Sequence, residues 1–165
     1  MITYKYLAYG SNMDPQRILS RLGPHLLGDG FTPEAIAVLQ NHELRFHKQL
    51  MGGGGAADLV DRASGCGSPP AEAVIWRVSE LGLSMLDRYE GVGAGHYRRE
   101  CWSVSTTASK TVDVMIYLAE PEAVVNGLRP RPEYRQHLLN GAHRFLSSDY
   151  VEWLSAVETE RMSYA

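Results

Sequence analysis

The order of apolar and polar positions divides the chain into short strands and helices separated by glycine, proline and serine. Ile2 to Ala8, rich in aromatic and aliphatic residues, reads as a first strand. Asp14-Pro15 then supplies an N-cap and a first helical residue, and the helix predicted over Pro15 to Leu22 is stopped by Gly23-Pro24. Phe31 to Gln40 and Glu43 to His47 read as strands with a turn at Asn41-His42. Two more follow at Ala56 to Val60 and Ala71 to Val78, joined by the Gly-, Ser- and Pro-rich segment Asp61 to Pro70. Ser79 is placed to cap a helix in which Val78, Leu81, Met85 and Tyr89 recur at helical spacing, ending near Glu90 with Gly91 as the left-handed residue beyond it. Tyr97 to Ser105 and Thr111 to Ala119 are β-branched and aromatic, with Thr106 to Lys110 as a hairpin connection. Pro132 opens a helix whose apolar face is Leu138, Leu139, Ala142, Phe145 and Leu146, and Ser148 caps a last helix with Tyr150, Trp153, Leu154 and Val157 inward. The sum is an α+β fold: a mostly antiparallel β-barrel flanked by helices.

Composition narrows the partners more than the fold. At 165 residues the chain is sized for one domain spanning 1–165. Its 44% apolar and 21% charged content is that of an ordinary globular protein. A net charge of −3 without any run of Lys and Arg longer than a dipeptide favours neither nucleic acid nor an anionic membrane surface. The expected ligand is therefore a small molecule. Met1 leads straight into Ile2-Thr3-Tyr4-Lys5-Tyr6, without a signal-like apolar stretch or a membrane-length one, which places the chain in the cytoplasm. Cys66 and Cys101 form neither a disulfide framework nor a CxxC pair and read as reduced thiols.

Two segments carry candidate chemistry. Tyr9-Gly10-Ser11-Asn12 closes the first strand with small and polar residues, so main-chain N–H groups can approach a ligand closely, as in an oxyanion cradle. Taken alone, it reads first as an ordinary strand-to-helix turn. Glu90 falls at a helix C-terminus, where the helix dipole disfavours a carboxylate and raises its pKa towards the range of a general acid or base. Taken alone, it reads first as a solvated surface glutamate. Other sites are weaker. Gly52 to Gly55 is followed by neither Lys-Ser nor Lys-Thr and leads into a strand, so phosphate-loop mechanics do not apply. Neither His42 with His47 nor His137 with His143 puts two imidazoles on one face, so no metal is expected. As nucleophiles, Ser11 lacks a G-x-S-x-G elbow and Cys101 lies mid-strand without an identifiable partner.

Together, Tyr9-Gly10-Ser11-Asn12 and Leu86-Asp87-Arg88-Tyr89-Glu90-Gly91-Val92, with Tyr97 shortly after, resemble the γ-glutamylcyclotransferase family, also described as the AIG2-like or BtrG-like fold. Gly54-Gly55-Ala56-Ala57, Tyr117 in its strand, Pro132 with Tyr134, and Gly141-Ala142 extend the resemblance over almost the whole chain, whereas Gly52 to Gly55 and Asp61 to Pro70 match no single branch closely. The resemblance implies that Glu90 is the catalytic acid/base, and that Tyr6, Leu7, Ala8, Tyr9, Gly10, Ser11 and Asn12 hold the substrate. Tyr97, Tyr117 and Tyr134 would line the pocket. The implied reaction closes a γ-glutamyl group to 5-oxoproline and releases an amine or amino acid without a cofactor. A small-molecule-binding or regulatory protein that kept the fold but not the chemistry is the alternative. The loop is closer to the γ-glutamylcyclotransferase and BtrG branches than to the γ-glutamylamine cyclotransferases.

Overall fold

The computed structural model describes residues 2–23 and 32–161; the expectations that fell on Pro24 and Phe31 lie outside them. Among the described residues, seven strands and four α-helices follow in the order β1 (Thr3–Ala8), α1 (Pro15–Leu22), β2 (Ala35–Leu39), β3 (His42–Gln49), β4 (Gly55–Asp61), β5 (Ala71–Ser79), α2 (Glu80–Tyr89), β6 (Tyr97–Ser105), β7 (Thr111–Ala119), α3 (Pro132–Phe145) and α4 (Ser148–Ala156). The helix starts follow local chemistry. The Asp14 carboxylate accepts from the Gln16 N–H with Pro15 at the first helical position, and the Ser79 hydroxyl accepts from the Gly82 N–H.

Five strands form one sheet in the order β2-β5-β1-β7-β6, and β3 with β4 forms a separate hairpin. Pairing is antiparallel except between β1 and β7, which run parallel and meet at Tyr6 and Met115. The sheet curls until its two edges touch: Ala37 of β2 bridges Thr106 just beyond β6, and the Thr107 N–H donates to the Ile36 carbonyl at 2.8 Å. The α+β reading holds, with a mixed sheet curled into a half-barrel. The β3–β4 hairpin is tied on by a buried pair, His47 Nε2 to Asp58 Oδ2 at 2.7 Å, whose Oδ1 accepts from the Ala119 N–H of β7. The strand β5, flanked on both sides, is buried along nearly its whole length, and Trp76 at its centre is 1% exposed.

Three sequence expectations shift. In α2 the inward residues are Gly82, Leu83 and Leu86, whereas Leu81 and Tyr89 are 61% and 52% exposed. Val78 still belongs to β5, so the helical phase counted from it is displaced. The cap of α4 is Ser147 rather than Ser148, since its hydroxyl accepts from the Tyr150 N–H three residues on. The turn before β3 is Gln40-Asn41, and the strands on either side belong to different sheets. No helix among the described residues is long and apolar enough to cross a membrane.

Candidate active site

The chain leaves β1 through Tyr9 and Gly10 into a single 3₁₀ turn, Ser11–Met13, before α1 begins. The first bond of that turn runs from the Met13 N–H to the Gly10 carbonyl, so the N–H groups of Ser11 and Asn12 have no partner inside it. The turn is pinned from both sides. Trp76 Nε1 donates to the Asn12 carbonyl at 3.0 Å. Behind it lies α3, approaching so closely that a Cβ on Gly141 would stand 2.5 Å from Met13 backbone atoms. Gly10 itself has little room, as a Cβ there would lie 3.2 Å from Tyr134 Oη and 3.3 Å from Ala57 Cβ.

In front of the turn is a half-open cavity of about 30 Å³. Its walls come from the end of β1 and the loop (Tyr6, Leu7, Tyr9, Gly10, Ser11, Asn12), from Ala57, and from Tyr97, Tyr117 and Tyr134, with Glu90 entering from the end of α2. Oε1 of Glu90 accepts from Asn12 Nδ2 at 3.1 Å and from Arg21 Nη1 at 3.2 Å, and Arg21 also donates to Asn12 Oδ1 at 3.0 Å. With only 15% of its side chain exposed, the carboxylate is pushed above its ordinary pKa by burial; Arg21, the Asn12 hydrogen bond, Arg17 and Lys48 pull it back in part. The elevation expected from sequence is there, and its principal source is desolvation.

The tyrosines divide by the direction of their hydrogen bonds. Tyr9 donates to the Tyr117 carbonyl, Tyr97 to the Ala57 carbonyl at 2.8 Å and Tyr117 to Asp87 Oδ1 at 2.7 Å. Their protons are committed to the protein. Tyr6 instead accepts from Asn12 Nδ2 at 2.9 Å and Tyr134 accepts from the Ala57 N–H at 2.9 Å, which leaves their own O–H protons available to a ligand. Burial pushes the Tyr134 hydroxyl up to about 12, so it is a donor at neutral pH.

Comparison with known proteins bears directly on this constellation. The model of the AIG2-like family matches residues 71–154, the segment from β5 through α4 that carries Glu90, Tyr97, Tyr117 and Tyr134. The gamma-glutamylcyclotransferase of Mus musculus is 30% identical over 164 residues, covering 94% of this chain and 79% of that protein. The chain belongs to the γ-glutamylcyclotransferase family. The Bos taurus gamma-glutamylcyclotransferase is 29% identical over 165 residues with the same shares covered. A solved gamma-glutamyl cyclotransferase superposes with a TM-score of 0.83 at 25% identity, over 99% of this chain and 93% of that one.

Of the residues that the family resemblance selected, Glu90, Tyr6, Leu7, Tyr9, Gly10, Ser11, Asn12, Tyr97, Tyr117 and Tyr134 meet at one cavity. Ala8 does not line it: it is 1% exposed and packed in the core. Asn12 lines the cavity, but its amide holds Glu90, Tyr6 and Arg21. Outside the cavity mouth is a wider groove of about 280 Å³ that shares Ser11, Glu90, Tyr97 and Tyr134 with it and adds Arg17, Arg21, Lys48 and His96. None of these four was selected from sequence. Arg17 and Arg21 had a readable signal, since they sit one turn apart on the helix that leaves the loop. Lys48 had none, because its direction depends on a break in strand register between Arg45 and Lys48. The Gly52 to Gly55 run forms the turn beside this groove, which Leu50 and Met51 line.

Proposed function

We propose that the protein cyclises a γ-glutamyl group to 5-oxoproline and releases the attached amine or amino acid, with Glu90 as general base and then general acid. The observation that carries this reading is the Glu90 carboxylate, desolvated inside a polar cavity and steered at one oxygen by Asn12 and Arg21. Membership of the family supports the reaction class. The substrate brings its own nucleophile: the neutral α-amine folds back on the γ-carbonyl, a nitrogen–carbon bond forms and the original amide bond breaks. Holding that conformer contributes on the order of 7 to 11 kcal/mol. Glu90 takes the proton that the attacking nitrogen loses and delivers it to the departing nitrogen, so no net proton is consumed. Tyr6 and Tyr134 hydroxyls and the N–H groups of Ser11 and Asn12 are the donors available to the substrate and to the developing oxyanion. One well-placed oxyanion donor is worth about 3 to 4 kcal/mol.

The test is 5-oxoproline release from a panel of γ-glutamyl compounds by wild type and Glu90→Gln. The amide keeps the size of the side chain but cannot accept the proton, so the variant should fold by circular dichroism and bind substrate while turnover falls by roughly 100- to 10,000-fold. Near-wild-type activity in folded Glu90→Gln sinks the assignment of Glu90. Failure of every γ-glutamyl compound with wild type sinks the reaction and favours a binding protein of the same fold.

A further inference from the structure

The groove outside the cavity mouth reverses the sign of the molecule's charge. The chain as a whole carries −3, yet the groove wall holds Arg17, Arg21 and Lys48 against a single carboxylate, Glu90, which Arg21 already pairs. Arg17 and Lys48 remain without a carboxylate within ion-pair distance among the described residues. Their hydrogen bonds are to neutral acceptors: Arg17 Nε to Ser11 Oγ at 2.9 Å, and Lys48 Nζ to His96 Nδ1 at 3.0 Å.

Lys48 is the more informative of the two. It is 4% exposed, and burying an ammonium without a counter-ion is unfavourable, an effect that lowers its pKa here. The fold nevertheless goes to some length to aim it inward. Phe46, His47 and Lys48 are buried in succession, which a regular strand cannot do, because the β3–β4 register slips between Arg45 and Lys48. The slip is accommodated across the hairpin by Gly55, where any Cβ would stand 2.2 Å from the Phe46 carbonyl oxygen. The ammonium donates one of its three protons to His96, with the Tyr97 ring centroid 5.4 Å away.

We infer that this groove is an anion subsite for the leaving group, in which Lys48 and Arg17 bind carboxylates, so that the preferred substrates are γ-glutamyl conjugates of an acidic amino acid. The inference rests on the cyclotransferase reading above. Because cavity and groove share Glu90 and Tyr97, a γ-glutamyl group in the cavity puts its scissile amide beside Glu90 and the leaving group in the groove. An acidic amino acid offers two carboxylates to two unneutralised cations, a neutral amino acid offers one, an alkylamine offers none, and a polyamine is repelled.

The experiment compares kcat/KM for the γ-glutamyl conjugates of glutamate, alanine, propylamine and putrescine, where the expected order is the order just given. In Lys48→Gln the ratio of the glutamate to the propylamine conjugate should fall by about 10- to 100-fold, and Arg17→Gln should lower the same ratio independently. Using a ratio cancels general damage to the fold, and Lys48→Arg, which keeps the charge, should retain most of the preference. An unchanged ratio in both neutral variants, or a wild-type preference for the alkylamine or putrescine conjugate, overturns the subsite. If wild type turns over none of the four, the reaction assignment fails separately. The subsite is then judged by calorimetric binding of free L-glutamate: salt-sensitive binding that is lost in Lys48→Gln upholds it, and no binding overturns it.

Discussion

Replacing Arg21 with Gln separates the two influences on Glu90, burial and charge, by removing the second alone. Arg21 Nη1 lies 3.2 Å from Glu90 Oε1, and the two side chains are 19% and 15% exposed. A unit charge pair at that distance is worth about 5 kcal/mol at an effective dielectric of about 20. Water entering at the partly open edge and the retained Asn12 hydrogen bond reduce the effect to that of one neighbouring opposite charge, about 1 to 2 pKa units or 1.4 to 2.7 kcal/mol. The sign follows from the role. A general base must be ionised, so kcat/KM falls as pH drops through the Glu90 pKa, which already lies above the ordinary carboxylate value. Without the guanidinium the ionised form is less favoured, and the acid limb of the pH profile should move up by about 1 to 2 units, with activity recovering at higher pH. Arg17→Gln should move the limb less, because the Arg17 guanidinium bonds Ser11 and is a smaller influence on Glu90. The assay is the pH dependence of kcat/KM for 5-oxoproline release. An acid limb that stays in place in Arg21→Gln, or moves to lower pH, refutes Glu90 as the titrating base.

Gly10→Val should reduce turnover by 10-fold or more, since its Cβ would stand 3.2 Å from Tyr134 Oη and 3.3 Å from Ala57 Cβ; Ser11→Ala, which removes only an acceptor for Arg17, should cost a few-fold, and equal mild losses in folded protein would argue against a main-chain cradle. Gly141→Ala should destabilise the protein by about 1 to 3 kcal/mol in urea denaturation, because the new methyl meets Met13 backbone that cannot yield. Glu90→Gln should gain stability relative to wild type as pH rises. A carboxyl whose folded pKa is raised binds its proton more tightly in the folded state, so wild-type stability is lost between about pH 4.5 and the folded pKa, and the variant escapes that loss by about 1.4 kcal/mol per unit of elevation. Urea midpoints at pH 4 and pH 8 check this, with no gain at pH 8 as the refuting result.

Where local chemistry dictates structure, the sequence was readable to the residue. The Asp14 cap and Pro15 mark the start of α1, and the β-branched runs mark β6 and β7, because caps and strand composition act within a few residues. The parallel pairing of β1 with β7, the curl that brings Ala37 to Thr106, and the separation of the β3–β4 hairpin join segments far apart in sequence and leave no local trace. The site shows the same division. The loop and Glu90 were found because each is a contiguous motif. Lys48 and the paired role of Ala57, whose N–H and carbonyl hold Tyr134 and Tyr97, depend on how the hairpin packs over the sheet.

The Glu90-Gly91 junction does more than end a helix. Gly91 takes φ +67°, and a Cβ there would stand 2.6 Å from His96 Cδ2, so the chain can fold back onto itself only with glycine at this position. That return places His96 against Lys48 in the groove and starts β6 at Tyr97, which borders both cavity and groove. The helix end that delivers the carboxylate to the cavity is thus bound to the segment that shapes the groove beside it. On the proposed reading, a change at Gly91 disturbs the acid–base chemistry and the leaving-group preference together, whereas Arg21 acts chiefly on the first and Lys48 chiefly on the second.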